Sequence, residues 1–299
     1  MNHRQIESDL SRKVESYVKN LPDGLRDRVR QSLIITGGSI VSLFLNEKVN
    51  DYDIYLSNIE VLYDLMKYYA KELEKSKVYN VQVHGIIDPN DMVGQPIGKE
   101  DLPSVLRLRF HIASIGVVRV KSKERYAPVV ITDNAISLNN KVQIIVRFFG
   151  NPAEIHKNFD FVHVMAYWTY KEGLVVPPKT AEFILSRELK YQGSLYPLAS
   201  IIRTRKFVSR GWNITAGEYL KMAFQLQEIN LKDPAILMDQ LMGMDLHYFM
   251  ALVQRIKTDQ ENGTIVEINA SYIMRLVDEI FSRFPEVPEE ESEEEEPWT

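Results

Sequence analysis

Ile6, Leu10, Val14 and Val18 recur at the spacing of one helix face, so the chain opens with an amphipathic helix. The turn sequence Leu21-Pro22-Asp23-Gly24 separates it from a second short helix leading into Leu33-Ile34-Ile35. That apolar run predicts a short buried strand, stopped at Gly37 and Gly38, where a residue without a Cβ lets the backbone turn tightly. Residues 39–45 then read as a helix, and residues 51–56 as a second strand. Ile59, Leu62, Met66, Tyr69 and Leu73 line one face of a covering helix over residues 58–75. From residue 77 to 150 the pattern shifts to short β-rich runs at 78–87, 116–120, 129–132 and 142–149. Beyond about residue 176 helical periodicity takes over, with candidate helices at 180–190, 198–210, 217–228, 234–242, 246–257 and 266–284. The predicted class is α+β: a mixed-sheet domain over residues 1–175, an all-helical domain over 176–285 and a tail at 286–299.

The 299 residues are 45% hydrophobic and 26% charged, ordinary for a globular protein with room for two cores. With no cysteine, disulfides, thiolate metal sites and thiol catalysis are excluded, a pattern suited to the cytoplasm. The polar start MNHRQIESDLSRK lacks the apolar core of a signal peptide, and no apolar run is long enough to span a bilayer, so no membrane anchor is expected. The formal net charge of −5 becomes +3 once the eight glutamates between Glu286 and Glu296 are set aside, leaving a mildly basic body. That glutamate-rich tail has almost nothing to bury; it is read either as a solubilising segment or as a ligand for a basic partner. Arg203, Arg205, Lys206 and Arg210 form a local basic cluster.

The chemistry concentrates in residues 33–56. Unpaired amides in the first turn of the helix after Gly37-Gly38, together with the positive end of its dipole, suit a triphosphate, and Ser39 adds a hydroxyl donor. In a strand, Asp51 and Asp53 face the same way about 7 Å apart, where they repel unless a cation lies between them. Mg²⁺, with Mn²⁺ as substitute, takes oxygen ligands and bridges to phosphates; two such ions would activate a hydroxyl and neutralise departing pyrophosphate. The simpler reading of each piece is an ordinary turn and a solvated strand end. Their combination in the order strand, Gly-Gly-Ser, helix, Asp-x-Asp points to nucleotidyl transfer.

Residues 33–215 resemble the DNA polymerase β-type nucleotidyltransferase superfamily, in particular the bacterial-type CCA-adding enzymes and poly(A) polymerases. Their G-G-x-V-R-D motif is followed by a D-x-D pair thirteen positions beyond the second glycine, the interval from Gly38 to Asp51 here. Ile40-Val41-Ser42 replaces V-R-D, so the arginine that would touch the triphosphate is missing. Asn158-Phe159-Asp160-Phe161 is similar to a second motif, R-R-D-F, with only the central Asp-Phe pair kept, and the resemblance makes Asp160 a nucleotide-binding candidate. Residues 200–207 with Gly211-Trp212-Asn213-Ile214-Thr215 are similar to a third motif; there Arg203, Lys206 and Arg210, at i, i+3 and i+7, form one basic stripe if helical, with Arg203 and Lys206 as candidates for phosphate or base contacts. A third acid is usual in the superfamily on a neighbouring strand, yet residues 141–147 carry Gln143; either two aspartates suffice, or Asp133 or Asp160 takes that place.

The resemblance implies a Mg²⁺-dependent, template-independent enzyme that adds a nucleoside monophosphate from an NTP to an acceptor hydroxyl, an RNA 3′ end first, with pyrophosphate released. Asp51 and Asp53 are the expected metal ligands, and Gly37, Gly38 and Ser39 the expected phosphate cradle. Transfer to a small molecule or protein, and a non-catalytic binding or assembly module, are the rival readings. His156 and His163 have no partner at metal-ligand spacing and read as structural. Tyr167, Trp168 and Tyr170 read as core or as a base-stacking surface.

Overall fold

The computed structural model of the chain describes residues 2–75, 81–88, 91, 93–112, 117–231, 233–241, 246–264 and 269–283. Two compact units emerge, Met1–Ser194 with Phe207–Lys221, and Leu195–Lys206 with Met222–Thr299. The expectations for residues 78–80, 116, 242, 266–268 and 284 and for the acidic tail lie outside the described residues.

The first unit begins with α1 (His3–Val18), α2 (Asp23–Ser32), β1 (Leu33–Thr36), α3 (Gly38–Leu45), β2 (Tyr52–Leu56) and α4 (Ile59–Lys75). Next come β3 (Val81–Ile86), β4 (Gln95–Pro96), β5 (Arg107–Ile112), β6 (Val117–Arg119), β7 (Pro128–Thr132), β8 (Ala135–Leu138) and β9 (Val142–Phe149). The unit continues through α5 (Pro152–His156), β10 (Tyr167–Thr169), β11 (Gly173–Val175) and α6 (Pro178–Ser186). Among the described residues, eight strands form one sheet in the order β11-β10-β1-β2-β9-β8-β7-β6, and β3 pairs with β4 and β5 in a smaller one. The pair β2–β9 is parallel and the other pairs are antiparallel, so the sheet is mixed and the class is α+β.

Strand alternation explains why Leu33-Ile34-Ile35 is apolar at every position. Leu33 and Ile35 join Ile54 and Leu56 in the main core, beneath Ile6, Leu10, Val14 and Val18 of α1 and Leu62, Met66, Tyr69 and Leu73 of α4. Ile34 and Tyr55 face the other way, against Ile155 and Phe159. With both faces covered, this part of the sheet has no solvent side to reward a polar residue. A capping box between Asn2 and Gln5 starts α1, satisfying amides that its first turn leaves orphaned.

Several strands are absent from the hydrophobic pattern. β10 and β11 are three residues each, too short to show a period. In β5, Leu108 and Phe110 are buried while Arg107, Arg109 and His111 alternate with them, so charge masks a period-two strand. Five further helices are α7 (Pro197–Ser209), α8 (Ala216–Gln227), α9 (Pro234–Leu241), α10 (Leu246–Glu261) and α11 (Ala270–Arg283). The second unit has its own core of Ala199, Leu237, Leu241, Leu252, Ile256, Ile273 and Leu276. Among the described residues, no helix is long and apolar enough to cross a membrane.

Candidate active site

The antiparallel pairing of Ile35 with Ile54 brings the exit of β1 beside the entrance of β2. Thr36, fully buried at that exit, donates its hydroxyl to the Ala166 carbonyl (2.8 Å) and meets His156 Nε2 at 2.9 Å. Because the hydroxyl hydrogen goes to the carbonyl, the tautomer that completes this network carries its proton on Nε2. Gly37 follows with φ +95° and ψ −155°, a conformation open essentially to glycine alone. A Cβ at Gly37 would lie 3.2 Å from Asp53 Oδ2, so the carboxylate presses against the turn. The sequence places glycine where both the dihedral and the neighbour demand it.

Gly37 donates its amide to the Val164 carbonyl at 3.2 Å. Gly37 is thus committed to the turn, and no side chain caps the first-turn amides of Gly38, Ser39 and Ile40. Gly38 has open space over its α-carbon, since nothing lies within 4 Å of an added Cβ. Ser39 is buried, and its hydroxyl has no hydrogen-bond partner among the described residues.

Asp51 is exposed and immediately precedes β2, while Asp53 is half-buried within it. Asp53 pairs in register with Gln143 of β9, and Gln143 with Ser137 of β8, so the three stand in one cross-strand row. Gln143 Nε2 donates to Ser137 Oγ at 3.0 Å, which holds the amide beside Asp53. An amide thus occupies the neighbouring-strand position where the resemblance expects a third carboxylate. Asp133 is ion-paired with Arg109, while burial pushes its carboxyl above the usual range. Asp160 is buried, and its carbonyl accepts from the Gln192 amide at 3.0 Å. Among the described residues, no three or more His, Asp or Glu side chains gather as a metal cluster. Two carboxylates beside open helix amides still match the donor set of Mg²⁺, which keeps waters and completes its shell with substrate phosphates.

His156 and His163, read from the sequence as structural, pack around this turn through partners that sequence patterns did not show. His156 anchors Thr36, and burial lowers its pKa to about 4. His163 is wholly buried among Phe161, Phe207 and Trp212, with its ring centre 4.7 Å from Phe207 and 4.2 Å from Trp212. Burial, assisted by the nearby Arg210 charge, lowers its pKa to about 3. Neither ring nitrogen has a hydrogen-bond partner among the described residues. Arg210 ion-pairs with Glu47 and donates to Ser42 Oγ at 3.3 Å; Arg187 reaches Glu47 at 3.1 Å and the Arg210 carbonyl at 2.9 Å. A guanidinium therefore reaches α3 at Ser42, the position where the resemblance has an aspartate.

The remaining candidates separate. α7 ends at Ser209, so Arg210 lies beyond the helix and the expected three-residue stripe is broken. Arg203 and Lys206 are half-buried residues of the second unit, whereas Arg210 belongs to the first. Trp168 is buried beside Ile35, and Tyr170 donates its hydroxyl to Glu15 at 2.6 Å, so both serve packing.

Known proteins share parts of this chain. A curated relative, "Gabija anti-defense 2" of Bacillus phage SPbetaL7, is 22% identical over 218 residues, covering 72% of this chain and 42% of the relative. The chain thus spans about two-fifths of that relative's length. Among solved structures, the CCA-adding enzyme of Bacillus stearothermophilus in complex with CTP matches at a TM-score of 0.38 and 14% identity, over 81% of this chain and 51% of that one. The Thermotoga maritima CCA-adding enzyme complexed with tRNA matches at 0.36 and 12%, over 91% and 60%. The model of the Gabija anti-defense 2 family matches residues 9–187, more than half of the sequence, and the chain therefore belongs to that family.

Proposed function

We propose that the first unit is a nucleotidyltransferase that joins a nucleoside monophosphate from an NTP to an acceptor hydroxyl, first of all on RNA, and that this transfer serves to counter the Gabija defence. The observation that carries the reading is the Asp53 carboxylate lodged against Gly37, at the start of a helix whose first-turn amides are uncapped. Negative phosphates and a carboxylate share such a place only when cations neutralise both.

In this reading the amides of Gly38, Ser39 and Ile40 hold the triphosphate, the Ser39 hydroxyl finds its acceptor there, and Thr36 with His156 fixes the turn. Asp51 and Asp53 would hold Mg²⁺, which when bound would supply positive charge for the phosphates and lower the pKa of the acceptor hydroxyl. Gln143, opposite Asp53 on the neighbouring strand, leaves that position without a further negative charge. Asp160 remains proposed as a nucleotide contact. Transfer of this type asks the protein for positioning and charge neutralisation rather than covalent chemistry.

Gln143 also favours a second reading, in which the fold has become a binding module that engages a component of the defence. Incorporation of α-labelled NTPs separates the two. The enzyme reading expects label in RNA, or in another acceptor from a cell extract, with Mg²⁺ or Mn²⁺, and none with Asp53→Asn. Absence of label from every acceptor with the wild-type chain hands the case to the binding module.

A further inference from the structure

Three cations fall within five residues at Lys121, Lys123 and Arg125, all exposed, on the strap joining β6 to β7. The strap is tied down: Asn139 Nδ2 donates to the carbonyls of Ser122 (2.8 Å) and Glu124 (2.9 Å), and the Asn139 amide donates to Ala127 at 3.0 Å. Asn139 opens the β8–β9 turn, which continues through Asn140 and Lys141, both at positive φ (63° and 55°). A left-handed lysine is uncommon, and here it ends in an exposed side chain. The Lys141 carbonyl accepts the Tyr52 amide at 2.9 Å, so this turn abuts the peptide between Asp51 and Tyr52. From α1, Lys13 donates to the Asn140 carbonyl and lies 4.9 Å over the Tyr52 ring. Among the described residues, none of Lys121, Lys123 and Lys141 has a carboxylate partner; Glu124 is the nearest acid in sequence and is itself exposed.

The geometry points to an acceptor track: we propose that Lys13, Lys121, Lys123, Arg125 and Lys141 bind the sugar–phosphate backbone of a single-stranded nucleic acid and lead its terminal hydroxyl to Asp51 and Asp53. The proposal rests on the nucleotidyltransferase reading for what happens at the strand's end, but the track itself is a binding surface. Arg125 lies 5.5 Å over the Tyr126 ring, but Lys121 and Lys123, exposed and with no carboxylate partner among the described residues, have little structural reason to be gathered beside it, because like charges repel at this spacing. A polyphosphate relieves that repulsion and releases its own counterions. The rim's position beside β2 is what distinguishes an acceptor track from a generally basic face. An acceptor phosphate held at Lys141 places the following nucleotide near the carboxylates.

The test measures binding of the full chain to a fluorescein-labelled 20-nucleotide RNA by anisotropy, at several salt concentrations, beside NTP incorporation. The triple variant Lys121→Glu/Lys123→Glu/Arg125→Glu and the single Lys141→Glu are compared with Lys121→Gln/Lys123→Gln, and circular dichroism melting checks folding. We expect at least tenfold weaker binding by the triple variant and a salt slope lower by about 0.7 per cation removed. Asp53→Asn is expected to bind RNA as the wild type does while losing incorporation. If incorporation fails in the wild type but rim variants still weaken RNA binding, the enzyme reading falls and the track stands. If folded rim variants bind RNA with unchanged affinity and slope, or a glutamate-rich peptide of equal charge competes as well as RNA, the track is overturned.

Discussion

At the residue scale, the two adjacent glycines perform different tasks and can be told apart. Gly37 holds φ +95° with Asp53 Oδ2 poised 3.2 Å from any Cβ, so Gly37→Ala suffers both strain and a contact. A loss of about 1–3 kcal/mol in unfolding free energy is expected, read from urea denaturation. Gly38→Ala meets open space and sits at the start of α3, where alanine is well tolerated. Its stability should stay within about 0.5 kcal/mol of wild type, yet NTP binding should weaken, because the added methyl stands where the anion must approach the backbone. Equal nucleotide affinity in a folded Gly38→Ala protein, measured by calorimetric titration, would remove the phosphate cradle from α3. Asp51→Ala and Asp53→Ala should leave folding nearly intact and reduce incorporation to background, since half-exposed or exposed carboxylates contribute more to a charged site than to packing.

At the scale of elements, the row Asp53, Gln143 and Ser137 across β2, β9 and β8 sets what the sheet can hold. Gln143→Glu would place a second carboxylate beside Asp53, where the two raise each other's pKa and repel at neutral pH. The expected result is a lower melting temperature in chelator and a rise of several degrees on adding Mg²⁺, larger than for wild type, because an ion bound only by the folded state stabilises it. An identical response in both proteins would show that Asp53 and Gln143 do not share an ion site. The first strands, α1, α3 and α4 were legible because their apolar residues keep one period without interruption; Ile6, Leu10, Val14 and Val18 are all buried. The Gly37–Asp53 proximity was legible because consecutive strands joined by one short helix usually lie side by side, which brings the exit of β1 next to the entrance of β2. Register was not legible: nothing in residues 141–147 says that Gln143 stands opposite Asp53, since parallel pairing is fixed by long-range packing. The Arg187–Glu47–Arg210 clamp was hidden for the same reason, its members lying up to 163 positions apart.

At the scale of the molecule, acid should act first through the buried histidines of the first unit. His163 has a folded pKa of about 3 and His156 of about 4, both lowered chiefly by burial, against about 6.5 for an unfolded histidine. Between those limits the unfolded chain binds protons that the folded chain refuses, so stability rises with pH through the window and is lost as pH falls from about 6.5 towards 4. The carboxylates held low by partners, such as Glu15 with Arg30 and Tyr170, and Asp64 with Lys99 and Arg28, begin to lose their contribution as pH falls through the ordinary carboxylate range. The histidine effect therefore sets in first, between about pH 6.5 and 5, and the two overlap below that. His163→Phe tests the larger one, because a ring of similar size sits among Phe161, Phe207 and Trp212 without a proton to accept. Wild type should lose about 1.4 kcal/mol per pH unit through His163 between pH 6 and 4, and the variant should lack that component, so that its stability relative to wild type grows as the solution is acidified. Chemical denaturation at pH 7, 6, 5 and 4 measures this directly. Parallel curves for the two proteins would mean that His163 is protonated in the folded chain and that its aromatic cage admits charge.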